Sequence, residues 1–412
     1  MFRLGQYAYI PLLVLLISFD SLRSMSRIYT GFFPLTYTLG FITVICIFWY
    51  KIFYFSPNNS KIYRIVFFYW LWLLISVIRG MNIVENPVEW RQLVVGSFSL
   101  IAPLYLYVFS TPETLHETLR LWVKFAFTAF AVLFLFIPTG GYHYYLGPLF
   151  LLGCFWPIMP KGLKMIVLFL LFFMMTINLG DRSQVIKSGI SLMIGVGFLL
   201  SKYIKPFMLS ILHWFFYIVP IVLLYLGVTG IFNPFAYMAE SADGKYLQQE
   251  LVEGHQEDYA ADTRTFIYEE VVTSAVRHNY IWQGRTPARG NDSWALGIFT
   301  AEDLKTGKYE RHYNEVCHPN VFTWLGLIGI ILYSLMYLIS SFLALYKSNS
   351  IWMKFIGVYI AFRWAFGWIE DISEFDISCI SLWMIIAMGF SESFRQMNND
   401  QIQKWVLKVF NR

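Results

Sequence analysis

Apolar runs long enough to span a bilayer recur along most of this sequence, and no other feature restricts the fold so strongly. Hydrophobic residues make up 57% of the 412 positions and charged residues only 14%, against about 25% charged residues in a typical soluble domain. The runs bounded by charged or turn residues predict about twelve helices. They lie at approximately 6–22, 31–55, 62–78, 92–110, 118–138, 143–159, 162–178, 183–200, 207–230, 319–346, 351–369 and 377–391. The sequence thus predicts an all-α polytopic membrane protein and excludes a soluble enzyme or a disordered chain.

The distribution of Lys and Arg orients these helices. With the N-terminus inside, the short inner connections and both tails carry fifteen Lys and Arg residues, whereas the short outer connections carry six. Because such residues concentrate in cytoplasmic loops, both termini are predicted to be cytoplasmic. The net charge of +5 is therefore no sign of nucleic-acid binding. The predicted domains are transmembrane helices one to nine over 1–230, a large outer loop over 231–318, helices ten to twelve over 319–391 and a C-terminal tail over 392–412.

The C-terminal tail has the pattern of an amphipathic helix. Its apolar residues fall on one helical face and its basic residues on another, which is typical of a helix lying on an anionic inner membrane surface. A solvated tail helix is the alternative. The apolar face consists of Ile402, Trp405, Val406, Val409 and Phe410, and the basic face of Lys404, Lys408 and Arg412.

No cysteine or acidic pattern predicts a metal site. Three of the four cysteines lie in apolar runs, and Cys317 is alone in its polar stretch, so neither a disulfide framework nor a zinc motif is present. An acidic cluster before the last span could bind a divalent cation or hold arginines, although a solvated loop is the usual interpretation of such a run. This cluster consists of Glu370, Asp371, Glu374 and Asp376.

Two outer arginines are placed where helices begin. Arg182, in the stretch NLGDRSQ, stands just before a span, where a helix N-terminus adds N–H donors and positive dipole to the guanidinium. Arg264 falls in the first turn of a helix predicted over 262–278 and capped by Asp262. Both positions suit a phosphate group. An ion pair of Arg182 with Asp181, and plain surface exposure for Arg264, are the alternatives.

The stretch WQGRTPARGNDSW follows that helix and bears Arg285 and Arg289. Its Gly and Pro residues indicate a loop that exposes backbone and guanidinium groups, which is a weak indication of an anion-binding cradle.

His318 ends the outer loop and precedes Pro319, a residue suited to the first position of span ten. His318 is then the helix cap, where the dipole disfavours the imidazolium form. A histidine that stays neutral near pH 7 can act as a general base. The alternative is a histidine hydrogen-bonded to loop backbone.

Taken together, these motifs resemble the bacterial O-antigen ligase and O-antigen polymerase superfamily of polytopic membrane glycosyltransferases. The resemblance rests on Arg182 in GDRSQ, on DTRTFIYEEVV followed by QGRTPARG in the large loop, and on HPNVFTWLGLIGIILY with His318, Gly326 and Gly329. Two details depart from the family pattern. Pro319 separates His318 from Asn320, and Ser183-Gln184 replaces the small residue after the mid-chain arginine.

The resemblance implies transfer of a glycan from an undecaprenyl-pyrophosphate carrier to an acceptor hydroxyl of a glycan or lipid-linked acceptor. The reaction would take place at the periplasmic side of the bacterial inner membrane, with inversion and without a metal, cofactor or nucleotide. His318 is then the catalytic base. The residues expected to bind pyrophosphate or substrate are Arg182, Arg264 and Arg285, with Arg289 and Arg91 as secondary candidates.

Other functions remain open. The resemblance does not separate a ligase from a polymerase. A transporter of polysaccharide or lipid-linked oligosaccharide needs ionisable residues near the membrane midplane, for which Lys124 and Arg363 are the main candidates. A membrane glycosyltransferase with a carboxylate base would use Asp20.

Overall fold

The computed structural model shows a mostly helical chain. It describes residues 9–25, 33–57, 61–138, 141–177, 182–229, 250–252, 255–257, 265–294, 297, 301, 306–372 and 374–410. Within these ranges, six helices are long and apolar enough to cross a membrane. They are Leu35–Phe53, Arg64–Met81, Pro87–Phe109, Pro112–Phe136, Pro206–Gly227 and Cys317–Tyr346, and shorter apolar helices cover Tyr9–Ser21 and Ile377–Phe390. The chain is therefore an all-α membrane protein in its coarse architecture.

The described part of the chain is mostly helix, with four short strands. The helices are α1 (Tyr9–Met25), α2 (Phe33–Phe53), α3 (Arg64–Met81), α4 (Pro87–Ser99), α5 (Leu106–Phe109), α6 (Pro112–Leu121), α7 (Phe127–Leu133), α8 (Tyr142–Tyr145), α9 (Gly147–Cys154), α10 (Lys161–Thr176), α11 (Arg182–Leu199), α12 (Pro206–Val228), α13 (Thr265–Arg277), α14 (Cys317–Tyr346), α15 (Ile351–Phe366), α16 (Ile377–Phe390), α17 (Glu392–Gln396) and α18 (Asn399–Phe410). Short 3₁₀ or π segments cover Ala102–Tyr105, Trp122–Ala126, Phe134–Phe136 and Trp156–Ile158. The strands are β1 (Glu250–Val252), β2 (His255–Glu257), β3 (Asn291–Asp292) and β4 (Glu310–Arg311).

Helical segments occupy each of the twelve predicted ranges, but several of those ranges are composite. The range 143–159 contains α8, α9 and a 3₁₀ turn. At 1.5 Å per residue, α9 is about 12 Å long, much less than the ~30 Å hydrocarbon core. Pro148 and Pro157 start new helical pieces here, because proline is tolerated in a first turn but breaks a helix interior.

Two helices form the buried centre of the bundle. Almost every residue of α15 and α16 is buried, as expected for helices that carry apolar residues on all sides. In contrast, α2, α10 and α12 leave large apolar side chains exposed, among them Ile52, Phe169 and Phe207. A soluble surface rarely carries so many. The outer helices thus present the apolar perimeter that a bilayer would cover.

The large loop contains α13 and two antiparallel hairpins, in which β1 pairs with β2 and β3 pairs with β4. The predicted apolar face of α13 is confirmed, because Ile267 and Val271 pack with Val316 and Ala275 is buried. The predicted cap of this helix and Arg264 lie outside the described residues.

The C-terminal helix α18 differs from its prediction. Its apolar face packs on the protein instead of facing a membrane surface: Ile402, Val406 and Val409 are buried, and Trp405 donates from Nε1 to the carbonyl of Pro112 at 3.0 Å. The basic residues Lys404 and Lys408 are exposed. Amphipathicity predicts a buried face but does not say what covers it, and here α6 and neighbouring helices cover it.

Candidate functional site

His318 lies in the first turn of α14 and is not its cap. The helix begins at Cys317, two residues before Pro319, and Val316 is the N-cap. The N–H of Cys317 donates to the carbonyl of Glu370 at 3.0 Å, and that of His318 donates to Gly367 at 3.2 Å. Pro319 fits the third position because first-turn N–H groups have no intrahelical acceptor to lose. The helix terminus is therefore satisfied by the turn that follows α15.

The imidazole of His318 is fully buried and has one unoccupied nitrogen. Its Nε2 lies 2.9 Å from the carbonyl of Trp364, which is only an acceptor, so Nε2 carries the proton. Nδ1 is then the basic nitrogen, and it has no hydrogen-bond partner within the described part of the chain. The ring packs on Trp368 and Trp364, with centroids 4.5 Å and 5.4 Å away. This tautomer places the lone pair on Nδ1 in an aromatic pocket.

The segment 367–376 joins α15 to α16 and carries the four predicted acidic residues; we call it the acidic turn. Glu370 Oε1 accepts from Lys187 Nζ and from Ser183 Oγ, both on α11. Lys187 is 3% exposed, and the guanidinium of Arg363 lines the same small cavity. The remaining polar wall of that cavity consists of Tyr144, Glu370, Asp371, Glu374, Asp376 and Ser378.

The acidic turn favours protonated carboxyls. Burial raises the pKa of Asp376 to about 7, with a further contribution from the charge of Asp371, while Lys187 opposes the shift. Burial and the neighbouring carboxylates also raise the pKa of Glu374. Asp376 nonetheless keeps a structural contact, because its Oδ1 accepts from the N–H of Cys379 at 2.6 Å and caps α16. Lys187 and Arg363 supply the positive charges in the wall of this cavity.

The acidic turn connects the two residues on which the predicted chemistry depends. Arg182 is the first described residue of α11 and is exposed, and the neighbouring Ser183 donates to the Glu370 side chain. Cys317, the neighbour of His318, donates to the Glu370 backbone. Arg182 and His318, 136 positions apart in sequence, are thus each one residue from a direct contact with Glu370.

The loop that bears Gly284 and Arg285 packs against helix α14. Helix α14 is interrupted at Gly326, whose φ of 68° and ψ of −168° are non-helical. The loop residues 281–286 fill this break: the N–H of Arg285 donates to the carbonyl of Thr323 at 2.7 Å, and the N–H of Leu327 donates to Ile281 at 2.8 Å. The break leaves backbone groups without helical partners, and the loop supplies new ones.

Glycine is required on both sides of this junction. A Cβ on Gly284, which has a φ of +71°, would lie 2.4 Å from the carbonyl oxygen of Trp324. A Cβ on Gly326 would lie 2.4 Å from the N–H of Gly284. Helix α3 completes the junction, because Trp72 Nε1 donates to Leu325 at 2.8 Å and Ser76 Oγ to Trp324 at 3.1 Å. The loop is therefore fixed to α14 by backbone contact.

Arg285 and Arg289 are paired with carboxylates. Arg285 contacts Asp292 at 3.0 Å and Glu310 at 2.9 Å, and Arg289 Nε donates to Glu310 Oε2 at 2.8 Å. Lys308 extends this group by pairing with Glu85 at 2.7 Å and with Glu89. We call this set the loop ion-pair network. Its contacts fasten the loop to α4, so these two arginines hold the loop in place and do not present free guanidinium groups.

The network favours ionised carboxylates. Burial opposes ionisation of Glu310, but the hydrogen bond from Arg289 and the charge of Arg285 outweigh it and hold the pKa of Glu310 below its usual value. The pKa of Asp292 is also lowered, because His278 and Arg285 outweigh the effect of burial.

The remaining candidate residues lie on segments other than α14 and the acidic turn, or they lie outside the described residues. Arg91 is exposed on α4, and Arg264 falls outside the described residues. Asp20 is buried in α1, and its Oδ2 accepts from Thr36 Oγ1 at 2.6 Å. Lys124 is exposed in the π segment between α6 and α7.

Sequence reasoning did not assign a site role to Lys187, and it considered Arg363 only for the transporter alternative. A signal was present for both, because an ionisable residue inside a membrane helix usually faces the protein interior and marks a site. Among the residues with described positions, no three His, Cys, Asp or Glu side chains are grouped so as to hold a metal ion.

No protein-family model matches this chain, and the searches of curated proteins and of solved structures also gave no match.

Proposed function

We propose that this protein is a membrane glycosyltransferase of cell-surface polysaccharide biosynthesis, of the O-antigen ligase or polymerase type. It transfers a glycan from undecaprenyl pyrophosphate to an acceptor sugar hydroxyl at the periplasmic face of the inner membrane. One observation carries the proposal: three motifs far apart in sequence meet around the first ten residues of α14. Ser183, the neighbour of Arg182, and Cys317, the neighbour of His318, both contact Glu370, and Gly284 lies against Gly326.

In the proposed reaction, His318 Nδ1 takes the proton of the acceptor hydroxyl. The acceptor oxygen forms the new bond to the anomeric carbon from the face opposite the carrier, and the bond to the pyrophosphate oxygen breaks with its electron pair. The carrier pyrophosphate leaves and the anomeric configuration inverts. A positioned base supplies about 10²–10⁴ in rate. Because Nδ1 is shielded from solvent, the acceptor must displace the packing around Trp368 to reach it.

The leaving pyrophosphate needs permanent positive charge. Arg182 is exposed at the edge of this centre, and a guanidinium can bind phosphate oxygens in a bidentate manner. Arg264 and Arg91 remain further candidates for donor binding. Arg285 and Arg289 position the loop in this proposal, since carboxylates already occupy their donors.

The depth of the two buried charges, Lys187 and Arg363, favours a surface reaction over transport. The other transport candidate, Lys124, lies at the middle of Pro112–Phe136 but is exposed on the side of that span. Lys187 lies five residues from the start of α11 and Arg363 three residues from the end of α15. At 1.5 Å per residue, both lie within about 8 Å of a helix end, whereas the membrane midplane is about 15 Å from either face of the hydrocarbon core. A transporter would need such charges near the midplane. The full topology of twelve spans with both termini cytoplasmic belongs to this proposal.

Glycan profiling of a strain lacking this gene tests the proposal. The strain is complemented with wild type, His318→Ala or Arg182→Ala, and the matched controls are His278→Ala and Arg277→Ala in the outer loop. We expect the two site variants to reach the membrane normally and yet to fail to restore long surface glycans, while both controls restore them. Full restoration by His318→Ala and Arg182→Ala would contradict the mechanism.

The glycan species that accumulates in the inactive variants distinguishes a ligase from a polymerase. Unligated carrier-linked polymer indicates a ligase, whereas retention of single repeats without chain extension indicates a polymerase. An additional Asp20→Asn variant that keeps full activity removes the carboxylate-base alternative.

A further inference from the structure

A second polar cavity lies at the opposite end of the molecule from His318. Helix α14 is interrupted at Gly326, and its second part, residues 327–346, leads away from His318 over about 30 Å. Three residues beyond that end, the N–H of Asn349 donates to the carbonyl of Arg395 at 2.8 Å. Arg395 lines a cavity of about 200 Å³, which is several times the ~30 Å³ that one water occupies in the liquid. This cavity belongs to neither the acidic turn nor the loop ion-pair network.

Arg395 is buried in an unusual way. Its side chain is 8% exposed, and its Nε is buried without a hydrogen-bond partner. No hydrogen bond or ion pair joins its guanidinium to any residue that the structure describes. Burying a guanidinium without partners is unfavourable, because the desolvated charge gains nothing in return. A buried arginine that borders an open cavity is therefore explained by an anion that enters the cavity.

The rest of the cavity wall suits an oxyanion. Hydroxyl groups come from Ser56 and Ser393, which are exposed at the rim. The N-terminus of α6 also borders the cavity, and its N-cap Thr111 makes no side-chain cap hydrogen bond. The Thr111 hydroxyl instead accepts from Tyr50 at 2.9 Å. First-turn N–H groups of a ten-residue helix are thus left for another acceptor.

Two carboxylates, Glu113 and Glu392, line the same cavity, but within the described part of the chain neither forms an ion pair with Arg395. Glu392 accepts from Gln396 Nε2 at 2.9 Å, which occupies its Oε1, and Glu113 is exposed at the rim. Burial lowers the pKa of Arg395 from its usual value, while the charge of Glu392 acts in the opposite direction. Arginine remains protonated in proteins under all ordinary conditions, so Arg395 keeps its positive charge beside these two carboxylates.

We infer that this cavity is a binding site for a phosphate group, with the Arg395 guanidinium as the main ligand and the α6 N-terminus and serine hydroxyls as further donors. The site goes beyond the proposed transferase function and does not depend on it. Its ligand is a phosphate monoester or diester, and two sources present that chemistry. One is a soluble phosphate compound, and the other is the headgroup of a phospholipid in the adjacent membrane leaflet.

The test uses the purified full-length protein and compares Arg395→Gln with Lys404→Gln. Lys404 is exposed on α18 and does not line the cavity. In the soluble arm, inorganic phosphate and glycerol 3-phosphate are titrated in neutral detergent and the dissociation constant is measured. In the lipid arm, the protein is extracted from vesicles of phosphatidylglycerol or phosphatidylcholine, and the retained phospholipid is counted by native mass spectrometry.

We expect the wild type and Lys404→Gln to bind phosphate in at least one arm, and Arg395→Gln to bind about tenfold or more weakly there, as loss of a charge-assisted pair predicts. Arg395→Lys should fall between them, because it keeps the charge and loses the bidentate geometry. Binding in the soluble arm identifies a soluble phosphate compound, and retention of phosphatidylglycerol alone identifies a headgroup.

A thermal melt without ligand completes the test. Arg395→Gln should melt at or above the wild-type temperature, because it removes an unpaired buried charge. Equal binding by Arg395→Gln and wild type, or no binding by the wild type in either arm, would overturn the inference. So would a lower melting temperature of Arg395→Gln without any change in binding, since the arginine would then be a packing residue.

Discussion

Two groups of charged residues, the loop ion-pair network and the acidic turn, use the same residue types in opposite ways. The loop ion-pair network, extended here by the exposed Arg277, sets Glu85, Glu89, Asp292 and Glu310 against Arg277, Arg285, Arg289 and Lys308, so each carboxylate has a cation. The acidic turn sets four carboxyl groups against only Lys187 and Arg363. The pKa of Glu310 is accordingly lowered and that of Asp376 raised. Equal numbers of opposite charges give a fixed support, whereas excess carboxyl groups give a region that exchanges protons.

The difference also predicts how much stability each region loses when one member of an ion pair is removed. An arginine cannot release its proton under ordinary conditions, so an arginine left without its carboxylate stays charged. A carboxyl group left without its cation can take up a proton and become neutral. We therefore expect the network to be the more sensitive region.

The largest effect is expected from Glu310→Ala. This change leaves Arg285 and Arg289 without their shared carboxylate, and their side chains are only 12% and 16% exposed. Breaking a buried ion pair costs about 3–5 kcal/mol. Hydrogen exchange of segment 283–294 should show local opening that is easier by that amount, whereas exchange of segment 367–376 stays unchanged.

Arg277→Ala is the matched control for that experiment. Arg277 also pairs with the network, through Asp292, but it is 65% exposed, and an exposed pair contributes at most about 1 kcal/mol. If both variants open the loop equally, the network is not the support described here.

Lys187→Met should have a smaller effect, of about 2–3 kcal/mol, on the stability of the acidic turn. Removal of the cation leaves the partly buried Glu370 without its ion-pair partner, but Glu370 Oε1 still accepts from Ser183 Oγ, which limits the loss. Adding Glu370→Gln should recover most of the stability, which a double-mutant cycle on thermal unfolding measures. A double variant that is less stable than Lys187→Met would contradict the proposed pairing.

Gly284→Ala separates backbone strain from backbone collision at the loop junction. Gly284 and Gly307 both have positive φ, but a Cβ on Gly307 would meet no atom within 4 Å. Gly307→Ala should therefore lose only the strain of about 1–2 kcal/mol, and Gly284→Ala should lose about 1–3 kcal/mol more through overpacking. The checking measurement is again exchange of segment 283–294, and equal losses for both variants would show that the contact with α14 is unimportant.

The smallest effect per pH unit is a pH dependence with opposite signs in the two regions. Because the pKa of Asp376 is raised in the folded state, the folded protein holds more protons between pH 4 and about pH 7. Stability of the turn should fall as pH rises through that window, by at most about 1.4 kcal/mol per unit. Because the pKa of Glu310 is lowered, the network should keep its stability there and lose it only as the pH falls below about 4.

Asp376→Asn should weaken the dependence in the turn, to which Glu374 also contributes, without loss of the α16 cap, because asparagine caps a helix as well as aspartate. Melting temperatures of wild type and variant between pH 5 and pH 8 measure this. A wild-type curve that rises with pH over this range, or one that Asp376→Asn leaves unchanged, would refute it.

Much of the fold follows from the sequence because membrane helices are limited by local rules. An apolar run such as 207–230 must satisfy its own backbone hydrogen bonds in lipid, so its helix α12 is predictable. The prediction weakens where proline and glycine divide a run, as around Gly147 and Pro148. The exact start of α14 was also missed, because proline is acceptable at several first-turn positions and not only at the first.

The candidate site was predictable only in part. His318 was identified because a histidine before proline at the end of a loop is conspicuous in sequence. The pairing of Arg285 and Arg289 with Glu310 could not be found, because the carboxylate lies more than twenty positions away and the hairpin of β3 and β4 brings it near. Lys187 was missed since its partner Glu370 is 183 positions distant.

The sequence by itself determined that this protein is helical, apolar and membrane-embedded, because helix hydrogen bonds and bilayer thickness act on consecutive residues. Only the tertiary structure decided which charges meet. Ion pairs and backbone contacts such as Gly284 with Gly326 depend on distances of a few ångströms between residues that are far apart in the chain, and those distances arise when the helices pack. Thus the sequence identifies the residue types of the candidate site. Helix packing decides which arginines are paired, which carboxyl groups lie together and which histidine nitrogen has no partner among the described residues.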